Sequence, residues 1–413
     1  MNFKCSDNLK PNPESIFQNL TQKEIREYEM DVMRRIADFA LIPPFLNTTP
    51  LPEYDYDQLD YGMNLGIAQT PGGRIWAAWV AGGDSPKAFI VINMSDDGET
   101  WSKPCLVVDS HSLNLPMNRT VIVGNLWIDP IGRLWFFFDQ VMHHFDGRGG
   151  LWYARCDNPD SDSHEWTSPI RIWHGSMLNK PTVLSTGEWL FPVQLIQKDA
   201  WAGEGNGPFI GIFNELDPYR GANVFSSTNK GISFQRIGCV QFPKPSWPEH
   251  MIVELNNGDL WMLARTQIGI MESYSMDKGY HWSEPSIPRN IQNCVARFHV
   301  RRLLSGRILL VKHGDTTDEI TPTREKIKAF LSEDDGKTWT GGLMLDERSG
   351  VSYPDGYQTK DGRIYISYDY KRSPCGHILM ARITEEDILA EKLVSPGSKL
   401  QMLISKPLKN LNM

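Results

Sequence analysis

Polar side chains recur in six short stretches of this 413-residue sequence that otherwise have the character of buried strands. Each stretch comes shortly before a glycine turn. A strand that served only packing would be apolar, so polar groups on all six indicate a wet binding or catalytic site. The alternative is a solvated channel with ion pairs and no chemistry. The candidate side chains are those of Asn64, Arg119 or Asn125, Lys180, Glu249, His250, Arg297, His299, Tyr353 and Asp355.

The histidines among these candidates do not have the spacing of metal ligands. They are more typical of hydrogen-bonding wall residues, and the sequence predicts no metal and no cofactor.

A short motif, repeated four times, indicates how such strands are held. Its fullest copy is Ser332–Trp339, with the pattern Ser-x-Asp-x-Gly-x-Thr-Trp. A second copy is assigned from Met94, with Asp96 as its acidic residue, and others start at Ser275 and Ser227. Asp or Asn close to Gly is typical of tight turns, and the aromatic residue that follows can pack beneath the turn. Each motif therefore predicts a β-hairpin.

A second repeat alternates with the first and consists of a short strand, a glycine turn and an apolar strand. Its turns lie at Gly73, Gly132, Gly187, Gly258, Gly306 and Gly362. Six hairpins in one continuous stretch favour a six-bladed β-propeller over a large β-sandwich.

The predicted fold class is therefore all-β: a six-bladed propeller of four-stranded antiparallel sheets with a short N-terminal helical extension. The predicted domains are an extension over residues 1–58, a propeller over 59–395 and a tail over 396–413. Helical spacing in Glu24–Ala40 supports the extension, which is expected to start near Asn12–Ser15. A further short helix is predicted at Thr384–Leu389.

Composition and charge argue against a nucleic-acid-binding protein and against a membrane-spanning one. The formal net charge is −8 and no basic stripe occurs, which argues against a nucleic-acid partner. No run of about 18 apolar residues is present, so no membrane-spanning segment is predicted. The N-terminus lacks the apolar core of a signal peptide, and six scattered cysteines fit reduced thiols. A cytoplasmic location is the expectation.

The four motifs resemble the Asp-boxes, or BNR repeats, of the sialidase superfamily of six-bladed propellers. The segment Glu249–Arg265 resembles the stretch with a catalytic Glu and a substrate-binding Arg, and Ser352–Gly356 lies where the family places its nucleophilic Tyr. Arg324, eight positions before Ser332, resembles a second carboxylate-binding Arg. Asp84, ten positions before Met94, resembles the acid/base Asp.

This resemblance implies a set of catalytic roles. Tyr353 would be the nucleophile, Glu249 would accept its proton, and Asp84 would protonate the leaving oxygen. A neutral nucleophile suits a sugar whose anomeric carbon bears a carboxylate, because a carboxylate nucleophile would meet like charge. Structural roles remain open: Tyr353 as a packed aromatic, Glu249 in an ion pair and Asp84 in a plain turn.

One family feature is missing. The first inner strand of sialidases carries Arg-Ile-Pro, whose Arg binds the substrate carboxylate, but this chain has Tyr61–Gly66 there. Lys180, Arg119 and Arg297 are the predicted replacements. The predicted substrate-binding residues are Arg265, Arg324, Lys180, Arg119, Arg297, His250, His299 and Asp355.

The expected function is therefore a sialidase-like exo-glycosidase. It would release a terminal acidic sugar, either sialic acid or a related keto-deoxy or uronic acid, and its partner would be a carbohydrate. The alternatives are a non-catalytic carbohydrate-binding propeller, and a glycosidase or lyase acting on neutral or uronate sugars through a different constellation.

Overall fold

A computed structural model describes most of the chain. The described residues are 20–56, 58–197, 209, 211–243, 247–291, 295–317 and 323–407. The helix start expected near residues 12–15 lies outside them. None of the helices in the described residues is both long and apolar enough to cross a membrane.

Six antiparallel sheets follow one another along the chain and confirm the predicted six-bladed propeller. The first blade consists of β1 (Met63–Gln69), β2 (Ile75–Ala81), β3 (Phe89–Ser95) and β4 (Leu106–Val108). The second consists of β6 (Gly124–Ile128), β7 (Leu134–Asp139), β9 (Leu151–Cys156) and β10 (Ile170–Trp173). A small ribbon beside it pairs β5 (Arg119–Thr120) with β8 (Val141–Met142).

The next two blades continue this pattern. The third consists of β11 (Thr182–Val183), β12 (Trp189–Leu195), β13 (Gly221–Ser227) and β14 (Gln235–Val240). The fourth consists of β15 (Met251–Glu254), β16 (Leu260–Thr266) and β17 (Gly269–Ser275). Within the described residues this fourth sheet has three strands, and one bridge between Glu272 and Ser286 marks the place of a fourth.

The last two blades complete the ring. The fifth consists of β18 (His299–Arg302), β19 (Ile308–His313), β20 (Ile327–Ser332) and β21 (Thr340–Asp346). The sixth consists of β22 (Val351–Gln358), β23 (Ile364–Tyr370), β24 (His377–Ile383) and β25 (Lys399–Ser405). The inner strands β1 and β22 contact each other, which closes the ring.

Strand β25 lies within the predicted C-terminal tail, so the last blade extends past the expected boundary at residue 395. This strand pairs with β24 and supplies the outer edge of the blade.

Two α-helices are described, both with capping boxes. Helix α1 (Gln22–Asp38) is capped by Thr21 and Glu24, and it continues into a 3₁₀ turn over Phe39–Leu41. Helix α2 (Glu385–Ala390) is capped by Thr384. Both were expected from the sequence. Two more 3₁₀ helices span Pro52–Tyr54 and Asn214–Tyr219.

The six predicted glycine turns join the two innermost strands of each blade, and all six glycines have φ between 87° and 103°. Such φ values are in the left-handed region that favours glycine. The inner strands therefore all run in the same sense along the axis, and their starts meet at one end of the propeller.

The hydrophobic core lies between neighbouring blades as a series of buried clusters. The aromatic residue of each Asp-box packs against one of these clusters: Trp101, Phe234, Trp282 and Trp339. The boxes thus fasten outer hairpins, and a Cβ at Gly336 would lie only 2.6 Å from the Trp261 ring.

Hydrogen bonding corrects the assignment of the second box. Ser95 and Asp97, not Met94 and Asp96, occupy its key positions. The Asp97 carboxylate accepts hydrogen bonds from the backbone N–H groups of Glu99 and Thr100, both 2.7 Å. Asp96 instead pairs with Arg74 on the surface. The copy at Ser95–Trp101 is one residue shorter than the copy at Ser332–Trp339. Aligning the two copies at their glycines therefore assigned the serine and aspartate positions one residue too early.

We expect Asp97→Ala to lower the midpoint of thermal unfolding more than Asp96→Ala. Asp97 satisfies two backbone donors of the turn, whereas an exposed ion pair contributes little. Hydrogen bonds from Thr100 and Glu99 lower the pKa of Asp97 from 3.8 to about 2. Its stabilisation is therefore present above pH 3.8 and is lost as pH falls through about 2.

The measurement is thermal unfolding by circular dichroism of both variants and the unmodified chain between pH 7 and pH 2. A larger loss in Asp96→Ala, or an Asp97→Ala loss that persists at the acid end, would contradict this assignment.

Candidate active site

Tyr353 reaches the axis through a bulge in the inner strand of the last blade. The pairing of β22 with β23 shifts between Ser352 and Asp355, so two residues oppose one on the partner strand. Tyr353 has φ of 52°, which is uncommon for a bulky residue. A bulge bends the strand and redirects a side chain, and it accounts for the position of this phenol.

Glu249 also has an unusual backbone, with φ of 35°, directly before β15. Its N–H donates to Oε1 of Gln194 at 3.0 Å, and its carbonyl accepts from Nδ2 of Asn179 at 2.6 Å. Side chains of the neighbouring blade thus hold this backbone in place. Positive φ at two adjoining functional side chains is typical of sites that store local strain.

A buried hydrogen-bonded group joins Tyr353, Glu249 and Arg265. The Tyr353 hydroxyl donates to Oε1 of Glu249 at 2.9 Å, and Nη1 of Arg265 donates to both oxygens of that carboxylate at 2.9 Å. Arg265 Nη1 lies 3.3 Å from the Tyr353 hydroxyl. Each of the three residues is at most 8% exposed.

Neighbouring charges and burial have opposing effects on the pKa of Tyr353. Burial and the charge of Glu249 raise the pKa of Tyr353, while the charges of Arg265, Arg372 and Arg324 lower it. The net pKa lies above the usual 10, so the resting phenol is protonated at neutral pH. Glu249 is placed to accept that proton.

Two further arginines lie against the same phenol ring. Nη1 of Arg324 donates to Oγ of Ser352 at 3.0 Å, and Nη2 of Arg372 contacts the same oxygen at 3.4 Å. The guanidinium carbon of Arg372 is 4.1 Å from the ring centroid of Tyr353, and that of Arg324 is 5.5 Å away. The guanidinium groups of Arg265, Arg324 and Arg372 therefore line one cavity with the Tyr353 side chain.

Arg372 was not predicted from the sequence. It follows β23 in the last blade, and Asp369 orients it by accepting from its Nε at 3.2 and 3.3 Å. The predicted replacements for the missing Arg were cations assigned to inner strands, whereas Arg372 comes from a loop. The sequence feature that could have indicated Arg372 is Asp369, an acidic residue three positions before it at the end of β23.

At the place of the missing Arg, Asn64 has a supporting role. Its Nδ2 donates to the carbonyl of Tyr353 at 2.8 Å, and its N–H donates to Asp369 Oδ2 at 3.0 Å. Asn64 thereby connects the backbone of Tyr353 to the carboxylate that orients Arg372.

Asp84 lies at the mouth of the same cavity, with its side chain 42% exposed. Nε2 of His144 is 3.3 Å from its Oδ1, and Nη1 of Arg372 is 3.9 Å from its Oδ2. Desolvation would raise the pKa of Asp84. The His144 hydrogen bond and the charges of Arg372 and Arg324 outweigh it, so the pKa is lowered below 3.8.

The cavity has a volume of about 210 Å³ and a lining that is both charged and apolar. Arg265, Arg324 and Arg372 line it together with Tyr353 and Glu249. The apolar lining is formed by Met63, Ile122, Val123, Val141, Phe145, Leu178, Ile196 and Trp247. Asp139 also lines it, and its Oδ1 accepts from the N–H groups of Ile122 and Val123. Burial raises the pKa of Asp139 to about 7.

The remaining predicted residues do not line this cavity. Asp355 lies deeper on the axis and accepts hydrogen bonds from Lys180 and Arg297, with His299 3.9 Å away. Burial lowers the pKa of His299 to about 3. The structure therefore places the proposed replacement cations Lys180 and Arg297 in an ion-pair network outside the cavity lining. The guanidinium carbon of Arg297 lies 5.7 Å from the ring centroid of Tyr353.

His250 and Arg119 have local structural contacts. Nε2 of His250 bonds to the carbonyl of Asn223 at 2.9 Å, and burial lowers its pKa to about 4. Arg119, on β5, donates to the carbonyls of Ser110 and Phe39. Among the described residues no group of three or more His, Cys, Asp or Glu side chains is arranged to hold a metal ion.

A family model described as a BNR repeat-like domain matches residues 73–366, most of the propeller. The chain belongs to this BNR repeat-like family. No curated protein matches the sequence.

Several solved structures share the fold of this BNR repeat-like propeller. The intramolecular trans-sialidase of Ruminococcus gnavus, in complex with oseltamivir carboxylate, is 13% identical with a TM-score of 0.61, covering 84% of this chain and 99% of that one. A Hadza microbial sialidase is 19% identical with a TM-score of 0.60, covering 81% and 67%. A protein of unknown function from Dyadobacter fermentans is 14% identical with a TM-score of 0.55, covering 79% and 94%.

Five of the residues predicted from the sequence line one cavity of this BNR repeat-like propeller: Tyr353, Glu249, Arg265, Arg324 and Asp84. Arg372, Asp139 and His144 also line this cavity but were not predicted. Their roles in a reaction stay predictions.

Proposed function

We propose that the protein is an exo-glycosidase that releases a terminal acidic sugar with retention of configuration, through a covalent bond to Tyr353. The observation that carries this proposal is the Tyr353–Glu249 hydrogen bond of 2.9 Å beneath three arginines. A phenol that can lose its proton to a neighbouring carboxylate is an activated nucleophile. A cationic setting favours a substrate that carries a carboxylate beside the reacting carbon.

The arginines are equipped to hold that carboxylate. Arg265 and Arg324 line the cavity, and within the described residues their Nη2 groups make no hydrogen bond. Arg372 is oriented by Asp369 and lies over Tyr353. Guanidinium groups bind carboxylates by charge-assisted, often bidentate hydrogen bonds. The apolar residues of the lining suit the C–H face or an acyl group of the sugar.

The proposed reaction has two steps. Tyr353 Oη attacks the anomeric carbon while Glu249 takes its proton, and Asp84 protonates the leaving glycosidic oxygen. Water, deprotonated by Asp84, then displaces Tyr353, and Glu249 returns the proton to the phenol. Substrate binding assists Asp84, because a carboxylate near Arg372 offsets the charge that lowers the Asp84 pKa.

The solved neighbours support this substrate class by their names, since two are described as sialidase and trans-sialidase. Sialic acid and related keto-deoxy acids carry a carboxylate on the anomeric carbon, which the arginine cluster would recognise.

We expect Tyr353→Phe to reduce kcat for an aryl α-sialoside by about 10³-fold or more, because it removes the nucleophile and leaves the cavity intact. Tyr357→Phe is the matched control. It removes a hydroxyl from the same strand that has no hydrogen-bond partner among the described residues.

The measurement is steady-state kinetics of the unmodified chain, Tyr353→Phe and Tyr357→Phe with aryl α-sialosides and aryl uronides. Undiminished turnover in Tyr353→Phe would remove the nucleophile assignment. Saturable glycan binding without turnover by the unmodified chain would favour a carbohydrate-binding propeller instead.

We expect Arg372→Lys to reduce kcat/KM for the acidic substrate by about 10- to 150-fold, the loss of one charge-assisted hydrogen bond of roughly 1.5–3 kcal/mol. Lysine keeps the ion pair with Asp369 but loses the planar fork. Arg348→Lys is the control, since Arg348 also pairs with an aspartate and lies over a tyrosine, Tyr370, outside the cavity. Equal effects of the two changes would exclude a specific role for Arg372.

We expect His144→Ala to move the alkaline limb of the kcat/KM profile to higher pH. The His144 hydrogen bond lowers the pKa of Asp84, so removing it raises that pKa. A general acid acts while protonated, and a higher pKa keeps it protonated to higher pH. The check is kcat/KM from pH 3 to pH 9, with Asp84→Asn as the variant that should lack this limb. An unchanged limb in His144→Ala would contradict the acid role of Asp84.

A further inference from the structure

A second cavity lies at the opposite end of the propeller axis. The active-site residues gather where the inner strands begin, whereas this cavity is bordered by the glycine hairpins where β1, β6 and β22 end. Its volume is about 480 Å³, and Lys180 and Arg301 lie on its inner side. A smaller adjoining cavity is lined by the same two cations and by His299. We call this pair the rear cavity.

Positive charge exceeds negative charge on the axis beside it. Asp355 is fully buried and is shared between Lys180 and Arg297. Arg301 is a third cation close enough to disfavour the charged form of Lys180. His299 does not offset the excess, since it is neutral at physiological pH. Three cations therefore accompany one buried carboxylate, and buried charge without a counter-charge is costly.

Arg301 has hydrogen-bonding capacity to spare. Its one hydrogen bond within the described residues runs from Nη1 to the carbonyl of Pro181, at 3.5 Å. A guanidinium carries five N–H donors, which favours an acceptor from outside the chain. Nε2 of His299, itself only 3% exposed, also has no hydrogen-bond partner in the described part of the chain.

The carboxylates around the rear cavity interact with groups other than Arg301. Asp129 pairs with Arg133, and Asp361 lies 3.5 Å from Arg363. Glu254 accepts hydrogen bonds from the backbone and side chain of Ser185. No carboxylate among the described residues lies within ion-pair distance of Arg301. Asp355 acts on Arg301 only beyond ion-pair distance, which leaves the guanidinium available to an anionic ligand.

We propose that the rear cavity binds a small oxyanion, such as sulfate or inorganic phosphate, on the guanidinium of Arg301 with Lys180 beside it. The planar fork of Arg301 matches two oxygens of such an anion. This site is separate from the glycosidase cavity and does not depend on its function.

The test is equilibrium dialysis of the full chain with radiolabelled sulfate at constant ionic strength. We expect Arg301→Gln to bind one sulfate fewer per chain than the unmodified protein, or to bind it at least about tenfold more weakly. Lys360→Gln is the matched control, because it removes an exposed charge from the same mouth without touching the inner side. It should retain the unmodified stoichiometry.

The arginines of the glycosidase cavity could also bind sulfate, so Arg324→Met is measured alongside. It should leave the Arg301-dependent sulfate in place. Circular dichroism establishes that each variant is folded, and Arg301→Lys provides a second variant that keeps the charge. Equal sulfate binding by the unmodified chain and Arg301→Gln, or equal losses in Arg301→Gln and Lys360→Gln, would overturn the proposal.

Discussion

The buried carboxylate of Glu249 is the group on which the candidate site depends. It accepts from Arg265 and Tyr353 at once, and all three side chains are nearly inaccessible to water. A buried carboxylate must be paired and hydrogen-bonded, and breaking such a pair costs about 3–5 kcal/mol. Gln194, Asn179 and the bulge at Tyr353 can be understood as the means of holding this contact in one geometry. The same contact places a proton acceptor beside the Tyr353 hydroxyl.

The propeller supplies these groups from two of its blades. Glu249 precedes the inner strand of the fourth blade, Arg265 ends the next strand, and Tyr353 belongs to the sixth blade. Apolar clusters between blades keep these strands at fixed spacing, and the Asp-boxes fasten the outer hairpins. Rigid strands position catalytic groups more accurately than loops. Asp84 and Arg372, which come from loops, are in turn restrained by His144 and Asp369.

The axis divides into two electrostatic regions. At one end, three arginines surround Tyr353 and Glu249. Further along, Asp355 binds Lys180 and Arg297, which holds these cations outside the cavity lining although both come shortly before inner strands. Position on an inner strand therefore indicated that a residue faces the axis, but not at which depth. Depth follows from the length and bulges of each strand, which residue types do not reveal.

The sequence by itself determined the repeat, the number of blades and five residues of the cavity, because turn chemistry and box spacing are local properties. Only the tertiary structure decided that Arg372 lies over Tyr353, that Asn64 supports the Tyr353 carbonyl, and that Asp97 is the acidic residue of its box. The first contact lies within the last blade, between β22 and the loop after β23, and the second joins the first blade to the last across the closure of the ring. Sequence spacing does not encode them, since the first depends on the course of a loop and the second on how the first and last blades meet.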